Sequence, residues 1–496
     1  MFDVLSRKHV QSAARYWTKQ SSLLHSQWTR GNRTPVTRTR AFMLITVWMI
    51  VITLVGCSSI SPATSTESKS STATATTPAT LPDPNWITYH GNNTRTGYVA
   101  NMPDPHKLTR AWKVHLDGAV YASPLVVSGR VIVVTEGDSF YSLDMHTGQV
   151  QWHTHVGTPV PQSTLPCGDI DPLGITGTPV YDAATGLVFA VAEVRGPAHV
   201  LVGVDVNTGQ VKVRRSADAP GMEPRPQQQR SALLLSQGIV YIAYGGLAGD
   251  CGNYYGWVVG LRTDGQGSMR VFQVPTTRQG GIWAPAGPAL DANGNIYVAV
   301  GNGAATHGAW DHSDSVLRLS PQLHLEDGFA PSGWQQENAT DSDLGSMGPL
   351  LLPGGLIFAD GKSGKGYLLK ANDLGGIGGQ ALVMSICHAF GGAAAVGSII
   401  FIPCSKGMMQ AQVGPGIQLK LGWKAPSLVA GSPVVGGHTV YNLDTHDGIL
   451  YAFDMDTGTV IARAPVGQAS RFATPALSGS YILVGTFTGI TAVMGS

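Results

Sequence analysis

Short apolar runs separated by glycine and polar turns recur along most of this 496-residue chain. In residues 125–134, apolar residues flank a Ser128-Gly129 turn, a pattern typical of a β-hairpin. A D-x-x-T-G sequence follows at residues 144–148 and returns at residues 205–209 and 454–458. Its aspartate can accept backbone N–H bonds and its glycine can adopt a positive φ, so each copy predicts a reversal into another strand. No long stretch with a 3.6-residue apolar period follows residue 60, so the pattern predicts strands rather than helices.

The hairpin belongs to a unit that recurs eight times. Each unit opens with a small residue, usually followed by proline, and continues as four β runs, the third of which ends near an aspartate. The openings, spaced about 40 to 60 residues apart, are Ser123, Thr178, Ser231, Gly287, Gly348, Gly392, Ser432 and Thr474. Repeats that each supply four antiparallel strands are typical of propeller blades. The sequence therefore predicts an all-β fold, an eight-bladed β-propeller over residues 83–496.

The two ends of the repeat region complement each other. The last unit, residues 474–496, stops after three β runs, whereas residues 109–116 form a β run that precedes the first unit. Joining them in one blade supplies the missing outer strand and leaves no seam in the ring. We therefore expect an N-terminal strand to close the last blade.

The N-terminus has the pattern of an export signal. Residues 41–56 are uncharged and mostly apolar, and arginines precede them at positions 30, 33, 38 and 40. The run is shorter than the roughly 20 residues of a membrane span. It ends in Leu-Val-Gly before Cys57, which looks like the bacterial lipobox, whose cysteine is lipidated and becomes the new N-terminus. We predict a lipoprotein signal within residues 1–57, with an uncleaved signal anchor as the alternative.

A tether follows the signal. Residues 58–82 are rich in Ser, Thr, Ala and Pro and contain almost no large apolar side chain, so they cannot bury enough surface to fold. We predict a disordered linker that holds the propeller outside the cell membrane. The net charge of +1 gives the body no basic excess for nucleic acid, and we expect a monomer.

Four further cysteines lie in the predicted exported body: Cys167, Cys251, Cys387 and Cys404. Four cysteines in an exported chain suggest two disulfides, and three pairings are possible. Because Cys387 and Cys404 flank one hairpin-like segment, we pair them, which leaves Cys167 with Cys251. Four buried free thiols are the alternative.

The repeats resemble the pyrroloquinoline quinone (PQQ) type of propeller. They share its hairpin and D-x-x-T-G turn, and Trp112 and Trp152 stand where that repeat keeps its packing tryptophan. Residues 86–98, ahead of the ring, are similar to the leading segment of that superfamily. The resemblance covers residues 86–496 and implies the architecture more than a function. The superfamily includes both dehydrogenases and assembly lipoproteins of outer-membrane biogenesis.

The resemblance also implies roles for several residues if the chain is a quinoprotein dehydrogenase. Those enzymes hold the quinone on an aromatic floor beside a divalent metal, usually calcium, with a carboxylate base and a cation near the reactive carbonyl. Trp283 matches the stacking tryptophan, Asn302 the metal-binding asparagine, Asp343 the catalytic aspartate and Lys362 the cation. Each also has a structural interpretation, as a packing, turn or surface residue.

Departures from the dehydrogenase pattern weaken this assignment. The paired cysteines of that family are represented by Cys167-Gly168, and its cofactor-binding arginine has no match. Asp250 matches the metal-binding glutamate only loosely, and Glu193, in a Glu-Val-Arg-Gly sequence, lies one blade too early. We therefore expect a non-enzymatic binding or scaffold protein that holds a protein or small ligand across one face. The alternative is a PQQ- and calcium-dependent dehydrogenase of alcohols or sugars.

Two histidines are candidates for a separate metal site. His153 and His155 lie two residues apart on one predicted strand face, as zinc ligands sometimes do. No third ligand is apparent in the sequence, so we expect both to be surface residues.

Overall fold

The computed structural model describes residues 85–425 and 429–496, and in them the chain forms eight sheets, each built on four antiparallel strands. The eight-bladed propeller predicted from the sequence is confirmed. In all eight blades the innermost strand begins two or three residues after the predicted opening, as at Leu125 after Ser123 and Ala476 after Thr474. The predicted signal, Cys57 and the linker lie outside the described residues.

Two strands precede the first blade: β1 (Tyr98–Val99) and β2 (Leu108–His115). Blade 1 contains β3 (Leu125–Val127), β4 (Arg130–Thr135), β5 (Ser139–Asp144) and β6 (Val150–His155). Blade 2 contains β7 (Val180–Asp182), β8 (Leu187–Val194), β9 (Ala198–Asp205) and β10 (Val211–Ser216). Blade 3 contains β12 (Leu234–Ser236), β13 (Ile239–Gly246), β14 (Trp257–Arg262) and β15 (Arg270–Gln273), with the short β11 (Gln227–Gln228) also paired to β13. Blade 4 contains β16 (Ala289–Leu290), β17 (Ile296–Val300), β18 (Ser315–Leu319) and β19 (Leu325–Ala330).

The second half repeats the plan. Blade 5 contains β20 (Leu350–Leu352), β21 (Leu356–Ala359), β22 (Lys365–Lys370) and β24 (Leu382–Ser385), while β23 (Gly376–Ile377) extends blade 4. Blade 6 contains β25 (Ala394–Val396), β26 (Ile399–Pro403), β27 (Met408–Gly414) and β28 (Gln418–Lys424). Blade 7 contains β29 (Val434–Gly436), β30 (Thr439–Asp444), β31 (Ile449–Asp454) and β32 (Val460–Pro465), joined by β1. Blade 8 contains β33 (Ala476–Ser478), β34 (Tyr481–Thr486) and β35 (Gly489–Gly495), and β2 is its outer strand.

The predicted closure of the ring is therefore present. Strand β2 pairs antiparallel with β35, with Val114 opposite Ile490 and Leu108 opposite Gly495. One blade is thus built from both ends of the propeller sequence, which leaves no open seam between the first and last units. Apolar side chains from neighbouring blades form shared clusters, and one such cluster joins Phe140 of blade 1 to Val202 of blade 2.

A tryptophan on the outer strand links several blades to the next. Trp112 of β2 is 8% exposed, and its indole N–H donates to the carbonyl of Met145, inside the D-x-x-T-G turn of blade 1. Trp152 and Trp423 make the same hydrogen bond to the next blade. The turn glycine matters for this contact, because Gly148 has a φ of +73° and a Cβ there would lie 2.7 Å from the indole of Trp112.

Residues 86–99, here called the hub segment, run around the inner strands of all the blades. The segment bridges Val126 of blade 1 at its start, and β1 pairs with β29 of blade 7 at its end. Arg95 of the segment is 1% exposed and donates to the carbonyls of Leu233 and Pro288 in blades 3 and 4. A buried charge of this kind is tolerated because its hydrogen bonds are made. The hub segment therefore ties the blades together from inside the ring.

A few elements differ from the expected strands. The helix α1 (Trp334–Ala339) lies in the connection before blade 5, and single 3₁₀ turns form at Tyr89–Gly91, Gln162–Thr164 and Leu344–Ser346. A six-residue helix is too short to show an apolar period in the sequence. Within the described part of the chain, none of the helices has the length and apolar character to cross a membrane.

Candidate functional site

Side chains from the two sides of the ring meet at one end of the axis. Trp283, which precedes the inner strand of blade 4, contacts Phe472, which precedes the inner strand of blade 8, with 6.0 Å between the ring centroids. Blades 4 and 8 are four places apart in a ring of eight and stand opposite each other. A contact between them can therefore lie only at the axis.

Cations surround this aromatic pair. The Arg230 guanidinium of blade 3 lies 5.8 Å from the Trp283 ring centroid and 5.5 Å from that of Phe472. The ammonium of Lys362, from blade 5, lies 5.4 Å from Trp283 on the same measure. Such distances are within the range of cation–π attraction. A third cation, Arg471, directly precedes Phe472. Its guanidinium lies 4.0 Å from the aromatic ring centroid of Phe390, a residue in the connection to blade 6. We call Arg230, Trp283, Lys362, Phe390, Arg471 and Phe472 the axial cluster.

A tyrosine of the hub segment contacts opposite sides of the ring near the axial cluster. Tyr89 of the hub segment is 1% exposed and packs with Ala232 and Ala286 of blades 3 and 4. Its hydroxyl accepts a hydrogen bond from Thr474 of blade 8 at 3.1 Å. Tyr89 therefore spans the axis from one side of the ring to the other.

Asp343 and Lys362, both predicted from the resemblance, form a buried ion pair beside Trp283. The Lys362 ammonium lies 3.0 Å from Oδ2 of Asp343 and 2.6 Å from Oδ1 of Asp341. Burial raises the pKa of Asp343, the charge of Lys362 partly opposes this shift, and the resulting pKa is about 6. Burial lowers the pKa of Lys362, but the two carboxylates outweigh it, so that its pKa is raised. At neutral pH the pair is charged on both sides.

The two residues predicted to bind a metal, Asp250 and Asn302, are less well placed for that role than Lys362 is for its own. The carboxylate of Asp250 accepts a hydrogen bond from the Tyr254 hydroxyl at 2.5 Å. Asn302 is half-buried next to Gly301, which packs against the indole nitrogen of Trp283. The structure thus places Lys362 against both Trp283 and Asp343, and Asn302 next to a glycine that contacts Trp283.

These residues do not fit a calcium ion and its quinone. Calcium takes six to eight oxygen ligands, and ionised carboxylates are its usual protein donors. Here the carboxylate of Asp343 is neutralised by Lys362, and that of Asp250 accepts a hydrogen bond from Tyr254. In residues 85–425 and 429–496, no group of three or more His, Cys, Asp or Glu side chains could hold a metal. We therefore assign no catalytic step through PQQ or calcium.

Two buried acids, Glu193 and Glu136, act electrostatically on Arg230. Oε1 of Glu193 accepts a hydrogen bond from the Gln229 amide at 2.7 Å and lies 3.5 Å from Nε2 of His199. Burial lowers the pKa of His199, but the charge of Glu193 and the hydrogen bond to Asp218 raise it to about 9. Burial raises the pKa of Glu136 to about 8. Glu193 therefore belongs to an ion-pair network and not to an open ligand position.

Sequence reasoning missed Arg230, Phe390, Arg471 and Phe472. No carboxylate lies within 4 Å of either guanidinium in the described residues. The signal for these four residues is their position, since each stands one to three residues before a predicted unit opening. The segments that lead into the inner strands meet at the axis. Their side chains were therefore candidates for a shared site.

The histidine pair makes local contacts. His153 stacks on Tyr141 with 4.2 Å between the ring centroids, and its Nε2 lies 3.1 Å from Oγ of Ser139. Nδ1 of His155 lies 3.3 Å from the same hydroxyl oxygen. Ser139 is shared between the two rings and Asp117.

Both predicted disulfides are present, Cys167–Cys251 and Cys387–Cys404, with Cα–Cα distances of 6.0 and 5.6 Å. Disulfides persist in oxidising compartments, so the two bridges fit an exported protein.

Fold and site together define an eight-bladed β-propeller with aromatic and cationic side chains at one end of its axis. Residues 109–248 match the family model described as outer membrane protein assembly factor BamB. The resemblance predicted from the repeats is therefore confirmed. A comparison with curated protein sequences finds no match.

Solved structures of low sequence identity share the fold. A quinohemoprotein alcohol dehydrogenase from Pseudomonas putida HK5 is 15% identical with a TM-score of 0.65, covering 83% of this chain and 79% of that one. A europium-containing methanol dehydrogenase is 14% identical with a TM-score of 0.65, and the match covers 83% of this chain and 98% of that one. BamB from Moraxella catarrhalis is 14% identical with a TM-score of 0.55, and the match covers 78% of this chain and 100% of that one. The likeness extends to enzymes and to a BamB protein alike, so it shows the fold and leaves the activity open.

Proposed function

We propose that this protein is a lipid-anchored, extracytoplasmic binding propeller without enzymatic activity, and that the axial cluster is its ligand site. The lipobox-like sequence at Cys57, the tether and the two disulfides support the location. The axial cluster supports binding, because it joins aromatic surface to two arginines, Arg230 and Arg471, that have no carboxylate within 4 Å in the described residues. A ligand suited to it has a flat apolar part and an anionic group.

The observation that carries this proposal is the pair of arginines stacked on aromatic rings. Arg230 and Arg471 each lie against a ring and outside ion-pair distance of a carboxylate. Burial lowers the pKa of both; the half-buried Arg230 has lost part of its contact with water, whereas Arg471 remains exposed. An incoming anion would restore the lost interaction with a charge-assisted hydrogen bond.

The ion pair of Asp343 and Lys362 argues against catalysis at the same place. A general base must be free to take a proton from a substrate. Asp343 is fully buried, and its charge is compensated by Lys362 at 3.0 Å. The convergence of Trp283, Asp343 and Lys362 nonetheless supports the dehydrogenase as the second candidate, and a cofactor titration separates the two.

The binding proposal can be tested with a probe that has both required features. 8-Anilinonaphthalene-1-sulfonate (ANS) carries an aromatic system and one sulfonate, and its fluorescence rises on binding. We expect saturable binding to the folded protein. Arg471→Gln removes one cation from the cluster and Trp283→Ala removes its central ring. Each substitution should weaken the binding of ANS by about tenfold or more. A hydrogen bond to a charged group contributes about 1.5–3 kcal/mol.

The matched control is Arg463→Gln, which removes an exposed arginine of β32 eight residues before Arg471. This variant should bind ANS like the original protein. Equal ANS affinity in the original protein, Arg471→Gln and Trp283→Ala would show that the axial cluster is not the binding site.

A further inference from the structure

A second cavity lies between blades 5 and 6, beside the Cys387–Cys404 disulfide. Its volume is about 370 Å³. The walls come from the loop after β21 (residues 363–364), the end of β24 with the residues that follow (385–388), the β26–β27 turn (404–406), and Lys424 at the end of β28. None of these wall residues belongs to the axial cluster, so the cavity is a separate feature.

The wall of this cavity is basic. Lys406, Lys424 and His388 line it, and no aspartate or glutamate does. Both lysines are exposed, and within the described residues neither has a carboxylate within 4 Å. The whole chain carries a net charge of only +1, so this grouping is a local excess and does not reflect a basic protein. Cations held together without a counter-charge repel one another, and a bound anion relieves that repulsion.

Hydroxyl groups complete the polar lining. Ser363, Ser385 and Ser405 face the same space. Oγ of Ser363 is shielded from solvent beside Tyr367, so the hydroxyls open to a ligand are those of Ser385 and Ser405. Serine hydroxyls donate to oxyanions, so these two can add hydrogen bonds to a bound ligand.

The cavity is held in shape by cross-links between its walls. The disulfide joins the connection before blade 6 to the β26–β27 turn. The Ser405 amide donates to the carbonyl of His388 at 2.8 Å, and the Ile386 amide donates to that of Gly364, also at 2.8 Å. Nδ1 of His388 contacts the carbonyl oxygen of Lys362, which fixes the imidazole ring. A ligand therefore meets walls that are already in place, and little ordering cost opposes binding.

We propose that this cavity is a binding site for a phosphate-type oxyanion, held by Lys406 and Lys424 with donors from the serines. Lysine is a common phosphate ligand, acting as a point charge, and the paired hydroxyls add direction. A volume of this size exceeds what a single phosphate fills and lies in the range of small-molecule sites. The site therefore suits a phosphoryl group with an attached organic part, either free in solution or presented as the headgroup of an anionic lipid.

Calorimetry with inorganic phosphate tests the shared chemistry. The full exported body is titrated at constant ionic strength, with chloride as the balancing anion. The double variant K406Q/K424Q removes both lysine charges and should bind phosphate at least tenfold more weakly. The matched control, Lys420→Gln, removes an exposed lysine of the same strand, β28, and should leave the affinity unchanged. The conservative variant K406R/K424R keeps the charges and should retain binding, which separates charge loss from misfolding.

A second arm separates the two sources of the phosphoryl group. Co-sedimentation compares vesicles of phosphatidylcholine alone with vesicles that contain phosphatidylglycerol. Capture by the anionic vesicles that is lost in K406Q/K424Q identifies a lipid headgroup as the ligand. Phosphate binding without capture identifies a soluble phosphate compound. The proposal is overturned if the original protein binds neither phosphate nor anionic vesicles, or if K406Q/K424Q binds them as the original protein does.

Discussion

Trp112 offers a direct test of how the ring closes. Its indole packs against Gly148, and its N–H donates to the carbonyl of Met145 at 2.9 Å, so one side chain joins blade 8 to blade 1. Replacing a buried tryptophan by alanine costs about 3–5 kcal/mol, and the hydrogen bond contributes about 1 kcal/mol of that. We expect Trp112→Ala to lower the free energy of unfolding by about 4 kcal/mol. Trp112→Phe, which keeps most of the ring, should lose about 1–2 kcal/mol.

Urea unfolding followed by far-ultraviolet circular dichroism measures this loss. The control is Trp423→Ala, which removes the same contact between blades 6 and 7, away from the closure. Because the two contacts have the same geometry, both variants should lose a similar free energy of unfolding. The slope of that free energy against urea concentration should not change. The contrary result is a loss of less than about 1 kcal/mol for Trp112→Ala while Trp423→Ala loses about 4 kcal/mol. That result would show that β2 does not unfold together with the rest of the propeller.

Three further predictions concern buried charge and export. In Lys362→Met, Asp343 loses its counter-charge, so the free energy of unfolding should fall by about 3 kcal/mol at pH 8. At pH 5, where Asp343 can be protonated, the loss should be much smaller. Equal losses at both pH values, measured by urea unfolding, would contradict this. The pKa of Glu136 is raised to about 8 in the folded chain, so its unfolded form loses its proton first and stability decreases as the pH rises from about 4.5 to 8. Glu136→Gln should make that decrease shallower by up to about 1.4 kcal/mol per pH unit, and parallel stability curves would refute the assignment. Cys57→Ser should abolish incorporation of a fatty-acid analogue and leave a larger precursor, whereas equal labelling of both proteins would exclude the lipobox.

The sequence predicted the propeller because its signals are local and repeated. Each D-x-x-T-G turn fixes a reversal through its own aspartate, as Asp144 does by accepting the amides of His146 and Thr147. The missing outer strand of the last unit could be located because a spare β run remained ahead of the first. The Cys387–Cys404 disulfide followed from position, since the two cysteines flank one hairpin-like segment, and Cys167–Cys251 followed as the remaining pair.

The axial cluster was only partly predictable, because it depends on contacts across the ring. The contact between Trp283 and Phe472 joins residues 189 positions apart, and only the closed eight-membered ring makes them neighbours. Motif comparison found Trp283, Asp343 and Lys362 by resemblance, and it also suggested that a cofactor-binding arginine was absent. In the structure Arg230 lies against Trp283 from a different blade, where no linear motif would place it. The six-residue helix α1 was missed for the opposite reason, because so short an element has no pattern of its own.

The role of the axial cluster separates a binding propeller from a quinoprotein enzyme, and one titration decides between them. The protein is titrated with PQQ, with and without Ca²⁺, and then assayed for alcohol-dependent reduction of an electron-accepting dye. We predict that calcium does not strengthen PQQ binding, since Lys362 occupies the position beside Asp343, and that no dye is reduced. Micromolar or tighter binding that requires Ca²⁺, is lost in Trp283→Ala and is accompanied by dye reduction would contradict the binding proposal and establish the dehydrogenase.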